Sequence, residues 1–219
     1  MLEAVLFDWE DTLVHFEWDD ELVEAGHRAA LGRDDPGFTA RWRALILGDG
    51  HGYRPYADLL AELGVGDPDA FIDAEHEEWR PAYSVLASAQ ALLESLRDRG
   101  LKTGLVANSW PDPARVLRHD AAALGLAPFL DTLVFSEDAG ARKPAPEIFH
   151  HACADVGVEP AAALYVGDDL VRDVEGARNA GLGTVQALWF RADESAEIEP
   201  DFRAFTAMDV LNIAARLAR

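Results

Sequence analysis

Leu2-Glu3-Ala4-Val5-Leu6-Phe7-Asp8-Trp9-Glu10-Asp11 is an apolar run that stops at an acid, with two more acids in the next three residues. Four other short runs share its Val, Leu and Phe character: Thr103–Val106, Thr132–Phe135, Ala163–Val166 and Thr184–Leu188. Val106 leads into Ala107-Asn108-Ser109, and Val166 into Gly167-Asp168-Asp169. Runs that are apolar throughout, rather than alternating, belong to strands covered on both faces, as in a parallel sheet. Between them, Ala89, Leu92, Leu93, Leu96 and Val210, Ile213, Ala214, Leu217 recur at i, i+3, i+4, i+7, the period of amphipathic helices. Strands alternating with helices predict an α/β fold, a Rossmann-like doubly wound parallel sheet. Such sheets bind ligands outside the carboxyl ends of their strands, where these polar residues fall.

One crossover is too long for that pattern. Asp8 and Thr103 are about 95 residues apart, whereas a whole βαβ unit needs roughly 30. The surplus reads as helical, with Phe38, Trp42, Leu45, Ile46 on one apolar face and Tyr56, Leu59, Leu60, Leu63 on another. Asp34-Asp35-Pro36 and Asp67-Pro68 read as helix starts, an acid capping a proline-led first turn. The expectation is a core of 1–14 and 85–219 with a helical subdomain of 15–84 inserted. Within it, Trp18, His51, Tyr53 and Arg54 are candidates to face a ligand, and Gly48–Gly52 reads as a flexible break.

The whole sequence has 219 residues, 49% hydrophobic and 27% charged, a globular composition. Nineteen basic residues against 40 acidic ones give a net charge of −21, a field that repels nucleic acid and anionic membranes. The single cysteine, Cys153, excludes an internal disulfide, and its spacing with Phe149, Ala152 and Val156 predicts a buried structural thiol. No apolar run approaches a membrane span, and no basic leader precedes the first strand, so a cytoplasmic protein is expected.

Acids at strand ends carry the chemistry. Asp8 and Glu10 suit a nucleophile with a proton donor, or metal ligands, or a capped turn. Arg142-Lys143-Pro144-Ala145-Pro146 sets a lysine just before a proline-led helix, suited to an anion. Gly167-Asp168-Asp169-Leu170-Val171-Arg172-Asp173 holds three carboxylates in seven residues, which repel each other unless a hard cation such as Mg²⁺ sits among them. Trp9 and Trp110 flank two of the strand ends as pocket or packing aromatics.

The ordered set Asp8, Asn108, Lys143-Pro144, Gly167-Asp168 and Asp173 resembles the haloacid dehalogenase-like (HAD) hydrolase superfamily, and the inserted helices resemble that family's cap. The resemblance implies a Mg²⁺-dependent phosphomonoester hydrolase acting on a small phosphorylated metabolite. Asp8 would be the nucleophile that forms an aspartyl-phosphate, and Glu10 the general acid/base, with its backbone carbonyl on Mg²⁺. Lys143 would neutralise the phosphate beside Asn108 and Ser109. Mg²⁺ would be held by Asp8, Glu10, Asp168 and Asp173. Three positions depart from the family pattern: Glu10 stands for the usual Asp, Ala107 for the usual Ser or Thr, and Asp11 for a frequent Gly. Two other readings follow, a metal-free 2-haloacid dehalogenase or a weakly active or inactive binding protein of the same fold.

Overall fold

A computed structural model describes residues 1–17, 19–48, 54–109, 112–191 and 197–218. The chain folds into two compact units, one of Met1–His15, Ser84–Asn108 and Ala121–Arg219, the other of Phe16–Tyr83 and Ser109–Asp120.

The first unit is built on β1 (Ala4–Phe7), β4 (Lys102–Ala107), β5 (Thr132–Phe135), β6 (Ala163–Gly167), β7 (Gly183–Ala187) and β8 (Phe202–Ala204). Among the described residues these form one sheet in the order β5-β4-β1-β6-β7-β8, and the paired strands run parallel. The five apolar runs become five of its six strands, the four inner ones and β5 at one edge, and every residue of β1 is buried. β8 has no counterpart among the predicted runs. It is a three-residue edge strand whose middle residue, Arg203, is exposed, so it carries no apolar signature.

Helices close both faces. α5 (Ala89–Asp98) buries Ala89, Leu92, Leu93 and Leu96, and α10 (Ala207–Leu217) buries Val210, Ile213 and Ala214, as their spacing predicts. On the other side, α8 (Pro146–Val156) packs Ile148, Phe149 and Cys153 against Leu6, Val106 and Tyr165. Cys153 is buried, and burial pushes its thiol up to about 11, which leaves it inert at neutral pH.

In register, Phe7 pairs with both Leu105 and Val166, and the Asp8 N–H donates to the Val166 carbonyl at 2.9 Å. Central strand β1 therefore delivers Asp8 to the same sheet edge at which β6 delivers Gly167 and Asp168. Short helices α7 (Ser136–Ala139) and α9 (Gly176–Asn179) complete this unit.

The second unit holds α1 (Asp20–Leu31), α2 (Phe38–Gly48), α3 (Tyr56–Glu62), α4 (Pro68–Trp79) and most of α6 (Ala114–Ala123). The chain enters it through β2 (Val14–Phe16) and leaves through β3 (Tyr83–Val85), which pair as a two-stranded sheet. Asp67 caps α4 by accepting from the Ala70 N–H, with Pro68 in the first turn. α2 begins at Phe38, later than Asp34-Asp35-Pro36 suggests, because Gly37 adopts a positive φ and Phe38 N–H turns back onto the Asp35 carbonyl.

Its core gathers Phe38, Trp42, Ile46, Tyr56, Leu59, Leu60, Phe71, Ile72 and Trp79, joined by Val116 of α6. Arg115 of the same helix pairs with Asp69 and Asp73 of α4. These contacts are why Ser109–Asp120 joins this unit, a segment outside the expected 15–84. Trp18, His51, Tyr53 and Trp110 lie outside the described residues, and Arg54 pairs with Glu62. No helix among the described residues is long and apolar enough to cross a membrane.

A charged group is buried in this unit. His76 is 1% exposed and lies 3.1 Å from Asp112 and 3.4 Å from Asp120, which in turn accepts from Arg80 at 2.7 Å. Burial alone would lower the imidazole, but Asp112 and Asp120 outweigh it and lift it to about 10. The charged form is the one stabilised, so its contribution is complete below pH 6.5 and is lost as pH rises through about 10. His76→Gln is expected to lower unfolding stability by roughly 3 kcal/mol at pH 6, as when a buried pair loses one partner. Urea titration of both proteins at several pH values checks this: the gap should shrink towards pH 10.

Candidate active site

Four side chains converge where β1 and β6 end. Asp8 is 9% exposed, Asp168 3% and Asp173 fully buried, and one oxygen from each lies within 4.8 Å of the others. Lys143, 5% exposed, puts its ammonium 2.5 Å from Asp8 Oδ1 and 2.7 Å from Asp173 Oδ1. Residues far apart in sequence, 8, 143, 168 and 173, thus form one charge cluster.

Local backbone chemistry holds each member. Asp169 caps the turn after β6, accepting from the N–H groups of Val171 and Arg172, while its own N–H donates to Asp173 Oδ2 at 3.0 Å. The segment Leu170–Glu175 winds as a π-helix, a wider turn that often marks functional sites. Gly167 is required by space, since a Cβ there would lie 2.4 Å from the Asp173 carboxyl. Gly176 is required likewise, because a Cβ would meet the Pro144 Cα at 2.8 Å and push away the turn that carries Lys143.

Asn108 faces the same turn. Its Oδ1 accepts from the Lys143 N–H at 2.8 Å and its Nδ2 donates to the Lys143 carbonyl at 3.2 Å. The amide that the resemblance assigns to phosphate is thus engaged with the backbone of the lysine. Glu10 is exposed, bridges to Val14 through its backbone, and keeps its carboxylate outside the three-acid cluster. Ser109 is buried and belongs to the second unit, and Trp9 is packed at 4% exposure.

The family model for haloacid dehalogenase-like hydrolases matches residues 2–181. The chain belongs to this family. Its curated relatives include a glyceraldehyde 3-phosphate phosphatase of Methanopyrus kandleri, 28% identical with both chains wholly covered. An N-acetylmuramic acid 6-phosphate phosphatase of Pseudomonas aeruginosa is 31% identical over 84% of this chain and 80% of that one. Among solved structures, a HAD phosphatase from Thermococcus onnurineus aligns with a TM-score of 0.76 at 26% identity, covering 97% of each chain. The curated relatives named here are phosphatases, and the chain is a hydrolase of the same family.

The electrostatics of this HAD site are those of an acidic cluster short of cations. Burial raises Asp8, with Asp168 adding repulsion against the pull of Lys143. Burial and neighbouring acids hold Asp168 and Asp173 at about 6. Burial would lower Lys143, yet Asp173 and Asp8 overcome it and keep the ammonium charged. Three carboxylates with one lysine leave an excess of negative charge, and oxygen donors at this spacing fit a hard divalent cation.

Asp11, which stands where the family often has Gly, adds an arrangement of its own. Its φ of 56° lies in the left-handed region, which Asp tolerates better than most residues. His15 Nδ1 lies 2.6 Å from its carboxylate, and Arg191 lies 3.6 Å from it and 3.7 Å from Asp168. Arg191 carries no motif, and only the fold brings it to this edge.

Asp168 ionises above its ordinary value of 3.8, so its charge opposes folding above about pH 6, and protonation restores stability as pH falls towards 4. Removing that charge is therefore stabilising in the metal-free protein. Asp168→Asn is expected to unfold a few °C higher than wild type in EDTA at pH 7. Millimolar Mg²⁺ should raise the wild-type Tm and leave the variant nearly unmoved, as read by differential scanning fluorimetry.

Proposed function

We propose that the chain hydrolyses phosphomonoesters of small metabolites with Mg²⁺, through an aspartyl-phosphate on Asp8. The observation that carries this reading is the 2.5 Å contact between Asp8 Oδ1 and the Lys143 ammonium, beside Asp168 and Asp173. Phosphoryl transfer depends on positioning and charge neutralisation, and this cluster supplies both. The helical unit takes the part of the family's cap.

Asp8 attacks phosphorus with a carboxylate oxygen as the bond to the leaving oxygen breaks, and Glu10 gives that oxygen its proton. Glu10 then accepts a proton from water, whose oxygen bonds to phosphorus and releases Asp8 as a carboxylate. Lys143 balances the charge of Asp8 and of the transferring group throughout. Asp8, Asp168 and Asp173, with the Glu10 carbonyl, would hold Mg²⁺, which when bound offsets negative charge on the phosphoryl oxygens. Glu10 is one methylene longer than the family's usual Asp, a displacement of about 1 Å that tight geometry penalises.

The relatives' names support a small phosphorylated substrate, and glyceraldehyde 3-phosphate heads the panel because that relative spans this whole chain. Dehalogenation has no cation to hold, so the three-acid cluster weighs against it. Phosphate release from a panel of esters, with Mg²⁺ and with EDTA, tests the reading. Release should require Mg²⁺. Asp8→Asn should reduce it by roughly 10³-fold or more, and Glu10→Gln by roughly 10²–10⁴-fold. Full activity in Asp8→Asn would refute the mechanism.

A further inference from the structure

Lys143 has three N–H bonds and three partners. Besides Asp8 and Asp173, its ammonium lies 3.0 Å from the hydroxyl of Tyr165, on β6 two residues before Gly167. Tyr165 is 1% exposed, and its hydroxyl also lies 2.8 Å from the Val106 carbonyl of β4. The phenol has a single proton. A carbonyl can only accept and an ammonium can only donate, so the proton goes to Val106 and the oxygen lone pair receives Lys143. The 3.5 Å approach to Asp173 Oδ1 is left without a proton to share. Burial, then the nearby carboxylates, raise the phenol well above its ordinary value, so it stays protonated.

The strands are ordered β4-β1-β6, so this side chain reaches from β6 past β1 to the backbone of β4. Its ring is held edge-on by Phe149 at 5.0 Å, and the lysine ammonium lies 5.5 Å from the ring centroid. A lysine is a point charge on a flexible four-carbon stem, and two acids alone leave it free to settle on either. The hydroxyl, fixed by the sheet on one side, supplies a third anchor.

We propose that Tyr165 is a positioning residue that fixes the Lys143 ammonium so that its other two N–H bonds address Asp8 and Asp173. The catalytic consequence rests on the phosphatase reading above, but the anchoring itself does not. When Asp8 bonds to phosphorus it loses charge, and an unanchored lysine would move to Asp173. The anchored one stays in place for the transferring group. The strand residue thus acts through Lys143 and touches no substrate.

Tyr165→Phe keeps the ring and removes only the oxygen. Phe149→Leu is the control, since it trims the packing beside the same ring while the hydroxyl stays tied to the Val106 carbonyl. Tyr165→Phe is expected to lower kcat roughly 10- to 100-fold, with KM changed less than about threefold. Phe149→Leu should destabilise the fold yet keep kcat within about threefold of wild type.

A second readout needs no turnover. The sequence has two lysines, Lys102 and Lys143, and Lys102 is exposed. Protein labelled with ¹⁵N-lysine should therefore give one slowly exchanging ammonium resonance in EDTA, that of Lys143. Its hydrogen exchange should accelerate at least about 10-fold in Tyr165→Phe and not in Phe149→Leu.

Unchanged exchange in Tyr165→Phe overturns the proposal. So does unchanged kcat in an active enzyme, or a loss of kcat that tracks stability equally in both variants. If wild type hydrolyses no ester, the phosphatase reading fails, and the ammonium exchange still decides whether Tyr165 anchors Lys143.

Discussion

Three buried carboxylates at one sheet edge repel each other, and the Lys143 ammonium between Asp8 and Asp173 is the interaction that makes the arrangement tolerable. Much of the surrounding structure serves that contact. Asn108 grips the lysine's backbone, Gly176 leaves room for its turn, and Asp169 with the wide turn after β6 returns Asp173 to meet it. The remaining negative charge is what a divalent cation would neutralise. Perturbed carboxylates gathered in this way are a feature of functional sites.

The chain as a whole is strongly acidic, so an anionic substrate meets an opposing field on approach. Local cations matter more under that condition. Lys143 lies at the bottom of the site, and Arg191 stands half-exposed beside Asp168 and Asp11. The helical unit carries its own buried charge network around His76, separate in its chemistry from the acidic cluster of the first unit.

Five strands of the sheet are legible because nearly all their residues are buried and their sequences are mostly apolar rather than alternating. The bounds of Thr132–Phe135 coincide with those of β5, and the other four runs match their strands within a residue or two. β8 was not legible, since an exposed Arg at its centre breaks the pattern. Asp8, Lys143, Asp168 and Asp173 could be singled out because buried acids at strand ends are costly without a task. The structure brings these four together. What the sequence hid was directional: that Asn108 turns to the Lys143 backbone, and that Tyr165, a hydroxyl in an otherwise apolar strand, points at the ammonium. Hydrogen-bond partners far apart in the chain leave no local signal. The inclusion of Ser109–Asp120 with the inserted helices was hidden for the same reason, since Arg115 and Val116 find their partners only after folding.

The central claim is that Asp8 carries the phosphoryl group during turnover. Acid quenching of the enzyme during hydrolysis of an active ester, followed by peptide mass spectrometry, tests it directly. The account predicts a phosphoryl adduct on the peptide containing Asp8, present with Mg²⁺ and absent in Asp8→Asn. Steady phosphate release with the adduct on another residue, or undiminished in Asp8→Asn, would contradict it.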